Sequence, residues 1–492
     1  MLEIVAASCF NLVYCFSLPL FPDSARRKIV KRHDAEDHPN RTKKVALIVT
    51  TIANFVVPFM GSSVNIALPA IEREFKIDAV LLSWISLAFT LATATLLVPM
   101  SRLADIYGRK RLFTYGMALF TIASGLCAVA PSAPLLIMFR NIQGIGGAMS
   151  FGTGVAILTS VFPLGERGKA MGINVAAVYV GLSLGPFIGG FLTQDFGWRS
   201  IFILTVPLGL LVVALVLLHL KGEWAEARGE RFDLSGSFIY CVALVALIVG
   251  FSLLPGIQGF VAILLSMVSM CAFIWWETKT KSPVVNLSLF RTNRVFALSN
   301  LAALINYSAT FSVTFLLSLY LQYIRGMSPR SAGLLLVAQP IVQAMVSPWA
   351  GRLADRIEPR LVASAGMGIC AIGLFLLCTL DANTSFYLIV VKLALLGFGF
   401  ALFSTPNTTA VMNSVEKKFY GVASGIQGTM RSVGQAMSLG ITVLLLAVYV
   451  GRVRISPQYF PFFLKSVHAT FLIFGALCTV GVFASIARGK MR

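Results

Sequence analysis

Three cations lie inside otherwise apolar stretches of this chain: Arg140, Lys392 and Arg431. An ionised side chain in hydrocarbon is costly, so it faces protein or water and marks a path for a solute, an ion or a proton. Around Arg431 the spacing supplies amides as well. Gln427, Arg431 and Gln435 fall at i, i+4 and i+8 and share one helical face. Arg431 lies about 17 Å from the nearer end of its stretch, too deep to reach the interface easily. Arg140 shares its face with Gln143, Gly144 and Gly147. It is only about 9 Å from an end, so snorkelling competes with a functional role. Lys392 is also close enough to one surface to reach it. Gln339 and Gln343 form a second amide pair beside Pro340 and Pro348, and Asn65, Asn300, Asn306 and Asn407 add polar points. Taken singly, each asparagine reads as an interhelical hydrogen bond. All twenty acidic residues fall outside the apolar stretches or at their ends. A cavity with that balance favours neutral or anionic solutes over lipophilic cations.

A second group of residues is charged, and it repeats. Ser101-Arg102-Leu103-Ala104-Asp105-Ile106-Tyr107-Gly108-Arg109-Lys110-Arg111 returns as Gly351-Arg352-Leu353-Ala354-Asp355-Arg356-Ile357-Glu358-Pro359-Arg360. Asp105 can accept hydrogen bonds from a helix amino terminus or pair with a basic side chain. Such a contact can hold helices together in one state and release them in another. The plainer reading is that Arg109, Lys110 and Arg111 anchor the loop to anionic lipid. Repetition favours the latch, because rocking repeats need matched contacts. A third group is a stripe: Gly181, Gly185 and Gly189 recur every four residues, with Pro186 and Gly190 beside them. A side-chain-free face bent at a proline is suited to tight closure against a helix of the other half.

The elements that must position these groups are membrane helices. Of 492 residues, 57% are hydrophobic and 12% charged, against about 25% charged in a soluble domain. Apolar segments of about 20 residues, each long enough to cross a bilayer, recur down the chain. Fourteen are predicted, at about 45–69, 80–100, 112–130, 134–160, 170–193, 200–220, 234–254, 258–276, 296–322, 331–350, 361–380, 385–412, 420–450 and 467–487. The charged repeat follows spans two and ten. That offset of eight means a six-span unit was duplicated and two spans were inserted between the copies. The expected organisation is a tail at 1–43, a six-helix half at 44–220, an inserted pair at 221–294, a second half at 295–488 and a short tail at 489–492. Residues 4–21 are apolar and precede a basic cluster, the reverse of a signal peptide. This segment reads as a peripheral tail, with an extra span or an over-long start as alternatives.

Net charge is +20, but Lys and Arg concentrate in every second loop, the positive-inside pattern, with both termini on the basic, cytoplasmic side. The excess therefore faces anionic lipid rather than nucleic acid. Eight cysteines lie in apolar stretches without CxxC spacing, and the four histidines do not cluster, so no metal site or disulfide is indicated. Gly144-Ile145-Gly146-Gly147 sits inside an apolar helix, where small residues let helices approach closely, and Gly165 to Lys169 lacks phosphate-loop spacing. No catalytic dyad or nucleotide site is visible, no cofactor is called for, and any active transport must draw on a gradient.

These motifs resemble the major facilitator superfamily, and within it the fourteen-span drug:proton antiporters, over about residues 44–490. The loop motif is carried by Arg102, Asp105, Gly108, Arg109, Lys110 and Arg111, and its second copy by Gly351, Arg352, Asp355 and Arg356. The span-four motif is carried by Arg140, Gln143, Gly144, Gly146 and Ala148, and the antiporter motif by Gly181, Gly185, Pro186, Gly189 and Gly190. The resemblance implies an all-α membrane protein of two six-helix halves with two inserted helices, working as a monomer. It implies export of small organic solutes by proton antiport, with an importer or facilitator of a neutral or anionic metabolite as the alternative. It assigns a conformational latch to the loop, a proton relay to Arg140 and an export hinge to the glycine stripe. Met60 stands where such proteins often carry a buried Asp. Asp105 and Asp195 are then the nearest acidic candidates for the proton.

Overall fold

The computed structural model describes residues 38–280, 282–285, 288–416 and 420–489. Among the described residues fourteen helices are long and apolar enough to cross a membrane. They are α1 (Arg41–Phe75), α2 (Ala79–Tyr107), α3 (Arg109–Ala128), α4 (Ala133–Val161), α5 (Ala170–Phe196), α6 (Arg199–His219) and α7 (Leu234–Leu253). There follow α8 (Ile257–Glu277), α9 (Arg294–Ile324), α10 (Pro329–Ala354), α11 (Pro359–Leu377), α12 (Phe386–Asn413), α13 (Val422–Tyr449) and α14 (Pro457–Ala487). Each predicted span has its helix. The ends differ. α1 takes up Arg41 to Lys44, most of which were read as tail, and runs on to Phe75, because polar residues at a helix end emerge from the bilayer while backbone bonding continues. α14 begins ten residues earlier than its apolar run predicts. The peripheral reading of residues 1–37 lies outside the described residues.

Prolines decide where helices bend and which carbonyls are freed. Pro69 cannot bond back to Asn65, and the Asn65 carbonyl instead accepts Ser318 Oγ from α9 at 2.8 Å. Pro99 likewise frees Thr95, whose carbonyl is met by Cys241 Sγ of α7 at 3.7 Å. α9 is a helix to Thr310 and another from Ser312 to Leu319, closing in a π turn, Tyr320–Ile324.

The packing repeats with the expected offset of eight. α1 lies along α5, α3 along α4 and α6, and α2 along α4. Correspondingly α9 lies along α13, α11 along α12 and α14, and α10 along α12. The two groups meet through α2 with α13 and α5 with α10, which are equivalent pairs under the same offset. α7 and α8 pack on each other, and α7 leans on α2 and α13. The apolar core runs through both groups, whereas α8 turns Phe260, Leu264 and Val268 outward, as a lipid-facing helix must.

Candidate functional site

The face carrying the charged repeats is called the latch face, and the opposite one the far face. At the far face the two groups of helices are sealed together. Glu72, on the last turns of α1 and only 4% exposed, accepts Arg454 Nε at 2.6 Å and Tyr323 Oη at 3.2 Å. Gln322 Nε2 donates to the Ile66 carbonyl at 3.0 Å, and Ala79 N to Val453 at 3.0 Å. α5 and α10 touch backbone to backbone: a Cβ on Gly190 would strike the Pro329 carbonyl, and one on Gly333 the Pro186 carbonyl.

This contact corrects the expected role of the glycine stripe. Gly181, Gly185 and Gly189 face Phe55, Ser62 and Ser63 of α1, inside the same group of helices. Pro186 and Gly190 make the crossing contact. At about 100° per residue the two sets lie on different faces of α5, and the i, i+4 spacing alone did not say which one meets which neighbour.

Between the far-face seal and the latch face lies a series of pockets, each sharing wall residues with the next. The innermost is lined by Asn65, Gln339, Gln343 and Gln435. It shares Tyr179 and Tyr307 with the next, which contains Gln427 and Arg431. The widest, about 410 Å³, reaches the Arg102, Asp105 and Arg109 loop. Arg431 stacks its guanidinium 4.8 Å from the Phe151 ring centroid. Tyr179 and Tyr307 face each other, hydroxyl to hydroxyl at 3.2 Å, and both pack edge-on against Phe400. Gln427 Nε2 donates to Thr408 at 2.7 Å. Asn54 and Asn174, joined at 2.5 Å, close one wall. Neither asparagine, nor either tyrosine, stood out in the sequence, because no charge or period marks them.

Two residues expected near the cavity lie elsewhere. Arg140 is fully buried among α2, α3, α4 and α6. It donates to the Ile85 carbonyl at 3.1 Å and Gln143 Oε1 at 2.5 Å, 4.3 Å from the Phe89 centroid, and Gln143 passes the chain to Ser124 at 2.7 Å. It neither snorkels nor lines the cavity, since its hydrogen bonds are made inside one helix group. Lys392 donates to Thr379 Oγ1 at 2.9 Å, at the far-face end of α11. A flexible stem carries its charge toward that surface.

At the latch face Arg109 is the hub. It pairs with Asp105 at 2.6 Å and Glu226 at 2.7 Å and donates to Ser160 at 2.6 Å and the Ala156 carbonyl at 3.2 Å. Arg102 pairs with Glu230 at 2.5 Å, and Arg111 with Glu223 at 3.6 Å. Lys110 donates its backbone N–H to Glu223 at 2.9 Å and its ammonium to the Leu220 carbonyl. Gly108 turns with φ +122°, and a Cβ there would collide with the Glu223 side chain. All three glutamates come from the linker between α6 and α7, whose partnership with the loop no local spacing announced. In the second copy Gly351 packs beside Thr405 at ordinary distance, Arg352 and Arg356 are exposed, and the side chain of Asp355 lies outside the described residues. Asp195, a candidate acid, is exposed at the end of α5.

One buried cation was missed. Arg488, just past α14, is 1% exposed and donates to Ser299 at 3.1 Å, Asn407 at 2.8 Å and Ser485 at 2.8 Å. Burial without a full counter-charge brings its guanidinium down to about 10. It ties α9, α12 and α14 together, and a basic residue at a span end gave no sign of it.

A family model described as the Major Facilitator Superfamily matches residues 50–438 and 299–489. The chain belongs to the Major Facilitator Superfamily. It is 34% identical over 420 residues to the Multidrug resistance protein Stp of Mycobacterium tuberculosis (strain CDC 1551 / Oshkosh), covering 84% of this chain and 77% of that one. It is 30% identical over 402 residues to the Riboflavin transporter RibZ of Clostridioides difficile (strain 630), covering 81% and 87%. The Tetracenomycin C resistance and export protein of Streptomyces glaucescens is 28% identical over 417 residues, covering 83% and 76%. Among solved structures, a bacterial homolog of the human lysosomal transporter Spinster superposes with a TM-score of 0.62 at 16% identity, covering 92% of this chain and 98% of that one. The protein is therefore a multi-pass membrane transporter for small-molecule solutes, with export-type relatives.

Proposed function

We propose that this transporter exports small organic or drug-like solutes across the cell membrane by alternating access, as a monomeric proton antiporter. The latch face, with both termini, lies in the cytoplasm, as the positive-inside bias directs. Residues 44–220 and 295–488 are the halves that rock, and 221–294 is the inserted pair. The observation that carries this reading is the pocket chain through Arg431, which lies between the two helix groups, sealed at the far face and reaching the latch face. That is the arrangement for loading from inside. Opening needs the Glu72–Arg454 and α5–α10 contacts to part while the latch face closes. Asp105 is the acid placed to sense which state the latch is in, and Arg140 with Gln143 is the polar relay inside the first half.

In everted vesicles, a pH gradient is expected to drive solute accumulation that an uncoupler abolishes. Accumulation untouched by the uncoupler would end the antiport reading. Arg431→Ala is expected to lower transport at least about tenfold while the protein still inserts and folds; wild-type rates in that variant would remove Arg431 from the path. A second reading is import of a neutral or anionic metabolite, since one relative at 30% identity is a riboflavin transporter rather than a drug exporter by name. Net uptake into right-side-out vesicles would support it.

A further inference from the structure

The exporter reading leaves the solute unnamed, and the chemistry of the cavity wall narrows it. Arg431 presents a planar guanidinium with five donors and no acceptor. Among the described residues no ion pair involves it, and no Asp or Glu lines either of the two pockets that it borders. Its Phe151 contact leaves the charge in place, because an aromatic ring is a neutral partner. The wall therefore offers one uncompensated positive charge in a partly desolvated space, where a carboxylate, enolate or phenolate gains most and an ammonium has no partner.

The walls beside Arg431 add shape. Phe151 and Phe311 line the pocket with it, and Tyr179, Tyr307 and Phe400 form an edge-to-face cluster one step further in. All three rings border the innermost pocket, in edge-to-face contact at 5.6 and 6.4 Å centroid spacing, and so give it an aromatic wall for another planar ring. The access route does not oppose this: in the wide pocket Arg109 is paired with Asp105 and Glu226 and Arg102 with Glu230, and Arg167 adds a cation beside them. We infer that this cavity takes planar aromatic solutes bearing an anionic group, with the anion on Arg431 and the ring among Phe151, Tyr179, Tyr307 and Phe400. The inference rests on the reading of the pocket chain as the solute path.

The test uses the full-length protein in lipid nanodiscs and four probes of similar size: 2-naphthoate, its methyl ester, 2-naphthylmethylammonium and decalin-2-carboxylate. 2-Naphthoate is expected to bind at least about tenfold more tightly than each of the others. Arg431→Gln is expected to lose the naphthoate about tenfold more than the ester, with Arg431→Lys recovering part of the difference. A residue that merely shaped the fold would lose both probes alike. Equal or tighter binding of the ammonium, no binding of naphthoate, or equal losses in Arg431→Gln would each overturn the inference. Transport of the same probes in everted vesicles separates it from the exporter reading. Binding in the expected order without accumulation would end the exporter reading and leave the cavity chemistry standing. Accumulation of the ammonium in preference to naphthoate would keep the exporter and end the inference.

Discussion

The two copies of the charged loop share a sequence and end up in different company. In the first, Arg102, Arg109 and Arg111 each meet a linker glutamate, and Gly108 is forced to a positive φ against Glu223. In the second, Arg352 donates to the Pro348 carbonyl at 3.4 Å, a backbone acceptor, and the turn into the next helix is made by Pro359 at the first helical position. Proline fixes φ without needing a glycine. Duplication copied the residue pattern but not the backbone of the turn, and among the described residues the linker glutamates are met by the first copy. A repeat motif is therefore a statement about residue types, while its geometry and its contacts depend on neighbours outside the repeat.

The contrast can be broken most directly at Arg109. Arg109→Ala strands Asp105 and removes four contacts from a nearly buried side chain, so a loss of about 3 kcal/mol is expected. Arg352→Ala should stay within about 0.5 kcal/mol. Thermal unfolding in detergent measures both, and equal shifts would mean that the copies are equivalent after all. Next in size is Gly108→Ala, expected to destabilise by about 2 kcal/mol through its backbone conformation and the Glu223 collision. Stability unchanged in that variant would show that the linker is not held against the turn.

The smallest effect sharpens the comparison through pH. Burial raises the Glu223 carboxyl above its usual value, opposed by the backbone N–H groups of Lys110 and Arg111. A raised carboxyl holds its proton more tightly docked than released. Docking at Glu223 is then complete below the ordinary carboxyl value and weakens as pH rises through the raised one. Hydrogen exchange of residues 221–233, corrected for the intrinsic rate, should be slower at pH 5 than at pH 8. In Glu223→Gln that difference should vanish; a difference that persisted would assign it to another group.

Much of the path was legible because membrane burial leaves a strong mark. Arg431, Gln427 and Gln435 stood out as polar groups on one face of an apolar helix, and the structure brings all three to the pocket chain with Gln339 and Gln343. The same signal misplaced Arg140 and Lys392, since depth and polarity do not say whether a side chain turns inward to the cavity, inward to its own helix group, or along the helix to a surface. Glu72 went unread because it sits at a helix end. Its partners Tyr323 and Arg454 are hundreds of residues away.

By itself the sequence determined the class of solvent, the fourteen crossings, their basic side and the duplication. Each of these follows from local composition and from a repeat spacing that hydrocarbon enforces residue by residue. Tertiary structure alone decided which face of α5 meets α10, which company each copy of the loop keeps, and which of the buried cations lines the pockets between the helix groups. Those outcomes depend on the rotation of each helix about its axis and on contacts between distant segments, which a one-dimensional pattern leaves free until the helices pack.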